Sequence, residues 1–203
     1  GNHLFMEKKN KKLTKQKAID FGVLALRWYL IFYMLSYGWA KVTLSQFGVH
    51  DPAILEKSLK EVDSFYVAWH LYGRSNFFNI FTGLLEMIGA ILLIFNRTTL
   101  VGTLLVLVVL GQIFVIDVAF TTGVHGYALP VRIFGMMLAC VLILYHYKAK
   151  MAAAWQALTQ NVTTKFKYQW WIFPILLVIG FLMDFVFAIG LMPLKMLLNW
   201  LGG

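Results

Sequence analysis

Five apolar runs about as long as a bilayer is thick divide this chain: residues 21–41, 77–95, 100–120, 131–147 and 170–192. In hydrocarbon a backbone must satisfy its own N–H and C=O groups, which makes such runs helices. The fourth run is short unless Tyr145 and Tyr147 reach the interface. Composition agrees, since 60% hydrophobic and 13% charged residues leave too little polar side chain to wet a soluble domain. The 17 Phe, 9 Tyr and 7 Trp suit lipid-facing and interfacial positions.

Charge sets the expected orientation. Lys8, Lys9, Lys11, Lys12, Lys15 and Lys17 precede the first run, and lysines beside a span mark the cytoplasmic side. Threading the runs alternately puts Arg97, Lys148, Lys150, Lys165 and Lys167 on that side as well. The formal net charge of +9 is therefore a topology signal and an attraction to anionic inner-leaflet lipid. It implies no nucleic-acid partner, because the basic residues form no reader motif. The expected divisions are residues 1–5, which read as an expression scar, and 6–19, a basic cytoplasmic segment. A four-span bundle over 20–147 follows, with an external loop at 43–76. A cytoplasmic connector over 148–169 leads to a fifth transmembrane helix and interfacial tail over 170–203. The first run lacks a small-residue cleavage site, so it is expected to stay as an anchor.

In the external loop, Ile54, Leu55, Leu59, Val62 and Phe65 alternate with Glu56, Lys57, Lys60 and Glu61, which predicts an amphipathic helix over 52–65. Gly73-Arg74-Ser75 makes a turn into the second span. Only Asn96-Arg97-Thr98-Thr99 joins the second and third spans, so those helices must be antiparallel neighbours. Residues 121–129, ahead of Pro130, make a short external return.

Glu86, Asp117 and Asp184 lie inside apolar runs, and intramembrane acids normally face a partner or a polar cavity. Counted from the span ends at about 1.5 Å per residue, Glu86, Gln112, Asp117, Asp184, Lys41 and Arg132 all fall in the outer half. Arg27 approaches from the inner half. The expected pairs are Arg27 with Glu86 and Asp117 with Arg132. Such pairs either fix helix register or line an outward-opening site for a headgroup, quinone or other small amphiphile. Trp69, His70, Arg74 and His125 would form its external rim.

Other chemistries find little support. Cys140 is the single cysteine, so neither an intrachain disulfide nor a CxxC centre exists within the chain. His50, His70 and His125 are external and His146 sits at the other end, which does not suit haem; no metal site is expected. No nucleotide loop, GxSxG elbow or HExxH motif is present.

One block carries a resemblance. Tyr72-Gly73-Arg74-Ser75 precedes Phe81-Thr82-Gly83-Leu84-Leu85-Glu86-Met87-Ile88-Gly89-Ala90-Ile91-Leu92-Leu93 and Asn96-Arg97-Thr98-Thr99-Leu100-Val101-Gly102. With Leu26-Arg27-Trp28, Ser36-Tyr37-Gly38-Trp39-Ala40-Lys41, Asp117 and Pro130-Val131-Arg132, this resembles the DoxX-like family of small four-span membrane proteins. The resemblance implies a four-helix bundle and a link to membrane redox complexes, with quinone as a possible cofactor. The chain departs from that pattern in lacking paired cysteines, in a longer loop before Pro130, and in its fifth run.

The reading is an all-α integral membrane protein, a DoxX-like four-helix bundle with a fifth transmembrane helix and a short external amphipathic helix. It is expected in a bacterial inner membrane with a cytoplasmic N terminus. It would bind a lipid or quinone-like amphiphile in the outward polar pocket, with Arg27 holding Glu86 ionised and Lys41 and Arg132 receiving an anionic group. In a redox complex it would be an oxidoreductase accessory subunit. The alternative is a non-catalytic assembly or scaffold protein. Its charge pairs would be structural, and the small faces at Gly83, Gly89, Gly102 and Gly111 would pack helices or membrane-protein partners.

Overall fold

The computed structural model describes residues 2–190, with side chains from 12 to 187. The described residues form helices and no strands, in two units, 1–155 and 156–203. The first unit holds α1 (Asn2–Val42), α2 (Pro52–Leu55), α3 (Ser64–Gly73), α4 (Asn76–Ile94), α5 (Thr99–Phe120), α6 (Thr122–His125) and α7 (Ala128–His146). Helix α8 (Lys148–Thr159) leads into the second unit, which contains α9 (Ile172–Gly190).

Helices α1, α4, α5 and α7 are long and apolar enough to cross a membrane. They pack in a ring, each against the next, with α7 closing back on α1. The first is much longer than expected: helix continues from Val42 back to Asn2, so the basic segment over 6–19 is helical. At the base of the bundle, Asp20 on α1 faces His146 Nε2 on α7 at 3.4 Å. The fifth apolar run forms α9; the ends of that run and of the tail, beyond residue 190, lie outside the described residues.

A repeat of three and four residues runs down each buried face. It reads Val23, Arg27, Leu30, Met34 and Lys41 on α1, and Asn79, Glu86, Ala90 and Leu93 on α4. It continues with Thr99, Thr103, Val106, Leu110 and Asp117 on α5, and Ile133, Met136, Cys140 and Ile143 on α7. Knobs of this spacing interlock in a bundle. Large side chains such as Trp28, Phe32, Trp39 and Phe134 point outward instead. Buried threonines satisfy their hydroxyls on their own helices, as Thr103 Oγ1 does on Thr99 O (2.7 Å).

Glycine decides which helices approach most closely. A Cβ on Gly38 would lie 2.6 Å from Gly83 O, and one on Gly83 would lie 2.6 Å from Gly38 O, so α1 and α4 meet backbone to backbone. Across the α4–α5 hairpin, Gly89 faces Val106 and Gly102 faces Leu92 and Leu93. Gly111, grouped with these glycines from sequence, faces open space, since nothing lies within 4 Å of its would-be Cβ.

The external loop corrects the expected helix over 52–65. Helix α2 stops after one turn, and a second helix starts at Ser64 and runs to Gly73, into the expected turn. Local side-chain hydrogen bonds compete with helix continuation. Lys60 N donates to Ser58 Oγ (3.4 Å), and Phe65 N donates to Asp63 Oδ1 (2.8 Å), which makes Asp63 the N-cap of α3. The α3 helix then packs across the ends of α4, α5 and α6 as a cap.

Candidate functional site

A cavity of about 460 Å³ lies under that cap. Its walls come from all four bundle helices: Lys41 from α1, Leu85 and Glu86 from α4, Val109 and Ile113 from α5, and Ile133 from α7. Its roof is aromatic. Phe47, in the loop after α1, meets Trp69 and Tyr72 of α3 edge-on, each at a centroid distance of 5.3 Å, and Tyr72 stacks on Phe78 of α4 at 4.9 Å. Burial holds the Tyr72 phenol above its ordinary range, so it stays a neutral O–H.

At the floor, Lys41 Nζ donates to Glu86 Oε1 at 2.6 Å, with both side chains almost fully buried. Lys41 also sits 5.7 Å from the Phe47 ring centroid and 6.0 Å from that of Tyr37, distances at which a ring face attracts a cation. The second Glu86 oxygen, Oε2, is buried and accepts nothing, and the same is true of Gln46 Oε1. Both residues line the cavity. Buried acceptors left bare are costly, and in a site they are where a ligand donor belongs.

The expected pairing of Arg27 with Glu86 is not what the structure contains. Arg27 donates from Nη2 to Leu93 O (2.6 Å), from Nη2 to Ile94 O (3.2 Å), from Nε to Leu93 O (3.2 Å) and from Nη1 to Asn96 Oδ1 (2.7 Å). It caps the end of α4, where the last carbonyls have no helical donor. Register explains the difference. Gly38 and Arg27 are as far apart on α1 as Gly83 and Ile94 are on α4, so both contacts belong to one antiparallel alignment. In that alignment Arg27 lies some two turns below Glu86, and the flexible Lys41 stem reaches down to it from the other end. Lys41, engaged with Glu86, is therefore not the free receiver of an anionic group expected from sequence.

Arg132 and Asp117 form no ion pair among the described residues. Arg132 is exposed and donates from Nη1 to Tyr37 Oη at 3.4 Å. Asp117 is buried. Both Asp117 and Arg132 line the cavity, with Gln112 and, from the expected rim, Trp69. His70 and Arg74 line a separate groove formed by the α2–α3 segment, and His125 packs edge-on against Phe65 at 4.6 Å. Asp184, on α9 of the second unit, is exposed and not among the cavity-lining residues. Among the described residues, no group of three or more His, Cys, Asp or Glu side chains is placed to hold a metal ion. Tyr37, Gln46, Phe47, Tyr72 and Phe78 went unrecognised as cavity residues. Tyr37 and Tyr72 stand in the motif blocks, but nothing in the order of residues shows that the loop folds Gln46 and Phe47 over Lys41.

Together these features define a polytopic helical membrane protein with a polar-floored, aromatic-roofed cavity at one end of a four-span bundle. The chain belongs to the DoxX family, whose model, described as DoxX, matches residues 22–118. An uncharacterized protein of Bacillus subtilis strain 168, YwoB, is 30% identical over 142 residues, which cover 70% of this chain and 87% of that protein. No solved structure gives a significant match.

Proposed function

We propose that the cavity binds the polar head of a membrane amphiphile, a lipid or a quinone-like molecule. The observation that carries this reading is Glu86 Oε2, a bare acceptor on a residue only 1% exposed, in a cavity where apolar and aromatic side chains surround a few polar and charged ones. Apolar walls with a few convergent polar groups are how small-molecule sites are built, and about 460 Å³ suits one head and the start of a chain. The likeness to a family linked with membrane redox complexes supports an accessory role in such a complex.

The test replaces the ion pair rather than breaking it, because removing one partner strands a buried charge while an apolar pair of similar volume is often tolerated. Native mass spectrometry of the detergent-purified protein is expected to show a bound amphiphile in the wild type. The Lys41→Met/Glu86→Leu double variant is expected to lack it, with a melting temperature within a few degrees of wild type. If the double variant keeps the amphiphile, the pair only sets register and the proposal fails.

We place the protein in a bacterial inner membrane with its N terminus and the Asn96–Thr99 hairpin on the cytoplasmic side. Exposed Lys12, Lys15, Lys17, Lys148 and Lys150 at the base of the bundle support this orientation. The lone cysteine, Cys140, is buried and gives little labelling background. A membrane-impermeant maleimide on intact cells is expected to label Ser58→Cys and spare Lys150→Cys; the reverse pattern would invert the topology.

A further inference from the structure

The lining of the cavity reaches the outside of the bundle as well as the roof, through the exposed Val108 and Gln112 of α5. Near the hairpin, α4 and α5 are pressed together, with Gly89 against Val106 and Gly102 against Leu92 and Leu93. Those two contacts share one antiparallel alignment, which sets Glu86 opposite Val109 and Thr82 opposite Ile113. All four of those residues line the cavity, so from this level upward the facing flanks of both helices border it.

The space continues outward. Leu105, which comes within 3.9 Å of a Cβ on Gly89, starts a stripe continued by Val109, Gln112 and Ile116 along the α4-facing flank of α5. The last three line the cavity, as does Val108 on the outer edge of the same flank, which is 73% exposed. Gln112 is exposed too, although it sits well inside an apolar span. On the opposite flank of α5 the bundle is closed by Leu107 and Leu110 and by the contact of Phe114 with Phe134 of α7.

Inside, the two bare oxygens, on Gln46 and Glu86, are both acceptors without a donor. The Lys41–Glu86 pair is neutral as a unit, and the other two charged residues of the lining, Asp117 and Arg132, are of opposite sign, so the cavity offers no net formal charge to an ionic head. Resting on the reading of the cavity as an amphiphile site, we propose that its occupant enters sideways from the bilayer between α4 and α5, and that it is a single-chain amphiphile with an uncharged, hydroxyl-bearing head. The hydroxyls donate to Glu86 Oε2 and Gln46 Oε1, and the chain leaves past Val108 into lipid. Gln112 lies in the opening, where a polar side chain can steady the head as it passes out of hydrocarbon.

The probes are a saturated 1-monoacylglycerol, with two free hydroxyls, and the methyl ester of the same fatty acid, with none. Native mass spectrometry in an amine-oxide detergent is expected to show one monoacylglycerol per wild-type chain. The methyl ester should bind on the order of a hundredfold more weakly, because it leaves buried acceptors unpaired. Val108→Trp, in the opening, is expected to block monoacylglycerol binding. Val115→Trp, on a position of α5 that is 63% exposed and does not line the cavity, is expected to leave it intact. Unimpaired binding by Val108→Trp overturns the lateral route, and equal binding of the ester overturns the donor requirement, while either leaves the amphiphile site standing. Loss of binding in Val115→Trp as well as Val108→Trp overturns the assignment of the opening to the α4–α5 gap. If neither probe binds, this proposal is overturned, whereas the amphiphile site itself falls if the purified wild type carries no amphiphile or the Lys41→Met/Glu86→Leu variant keeps it.

Discussion

Gly83→Val is expected to yield little or no folded, monodisperse protein, with any surviving fraction melting far below wild type. Its Cβ would lie 2.6 Å from Gly38 O, 2.9 Å from Lys41 Cβ and 3.0 Å from Val42 Cγ2. The closest of these is backbone, so no rotamer change relieves it and α1 must move away from α4. Overpacking alone costs about 1–3 kcal/mol. Moving α1 also draws Lys41 off Glu86, and a buried pair broken in this way costs about 3–5 kcal/mol. Against a total stability of about 5–15 kcal/mol, that sum removes most of the margin. Gly111→Ala is the control: nothing lies within 4 Å of its Cβ, and helix propensity favours the change. Size-exclusion profiles and melting temperatures in one detergent compare the two. A Gly83→Val protein as monodisperse and stable as Gly111→Ala would show that α1 and α4 are not held at backbone contact.

Arg27→Leu is expected to be nearly as damaging, for a different reason. The side chain is 5% exposed and serves the final carbonyls of α4 together with Asn96. Thr98 Oγ1 serves Leu92 O, and Thr99 Oγ1 serves Phe95 O, so the hairpin leaves few carbonyls bare while Arg27 is in place. Leucine would leave Leu93 O and Ile94 O without donors where water is scarce, at about 1–3 kcal/mol each. The expected loss is thus about 2–6 kcal/mol, read as a lower melting temperature and protease cleavage near residues 95–98. Arg27→Lys is expected to recover only part of it, because an ammonium does not reproduce the planar fork that meets several acceptors at once. Amphiphile binding by whatever folded Arg27→Leu protein remains should be normal, since Arg27 does not line the cavity. Equal stability of Arg27→Leu and wild type would contradict its role as the cap of α4.

The two substitutions mark different degrees of legibility. Runs expected at 77–95, 100–120 and 131–147 became α4, α5 and α7 within a few residues at each end, because apolar length and tight turns are local properties. The extent of α1 was not legible, since a polar helix continuing from a span has no apolar signature. In the external loop the apolar spacing over 52–65 suggested one helix, but Asp63 and Ser58 drew the backbone into caps and turns. The acids and bases that line the cavity could be named from their presence in apolar runs. Their partners could not, because which cation meets Glu86 depends on how far α1 slides along α4.

What the sequence alone determined was the class: membrane spans, a tight hairpin between two of them, and charges where hydrocarbon should be. Those follow from composition and length, which do not depend on how the helices meet. Only the tertiary structure decided which face of each span looks inward, because lipid and a bundle core are equally apolar and hydrophobicity does not distinguish them. It decided through shape, with Gly38 against Gly83 setting the register that sends Lys41 to Glu86 and leaves Arg27 to cap α4. It likewise brought Glu86 and Thr82 of α4 to the cavity opposite Val109 and Ile113 of α5, in the alignment fixed by Gly89 and Gly102 near the hairpin.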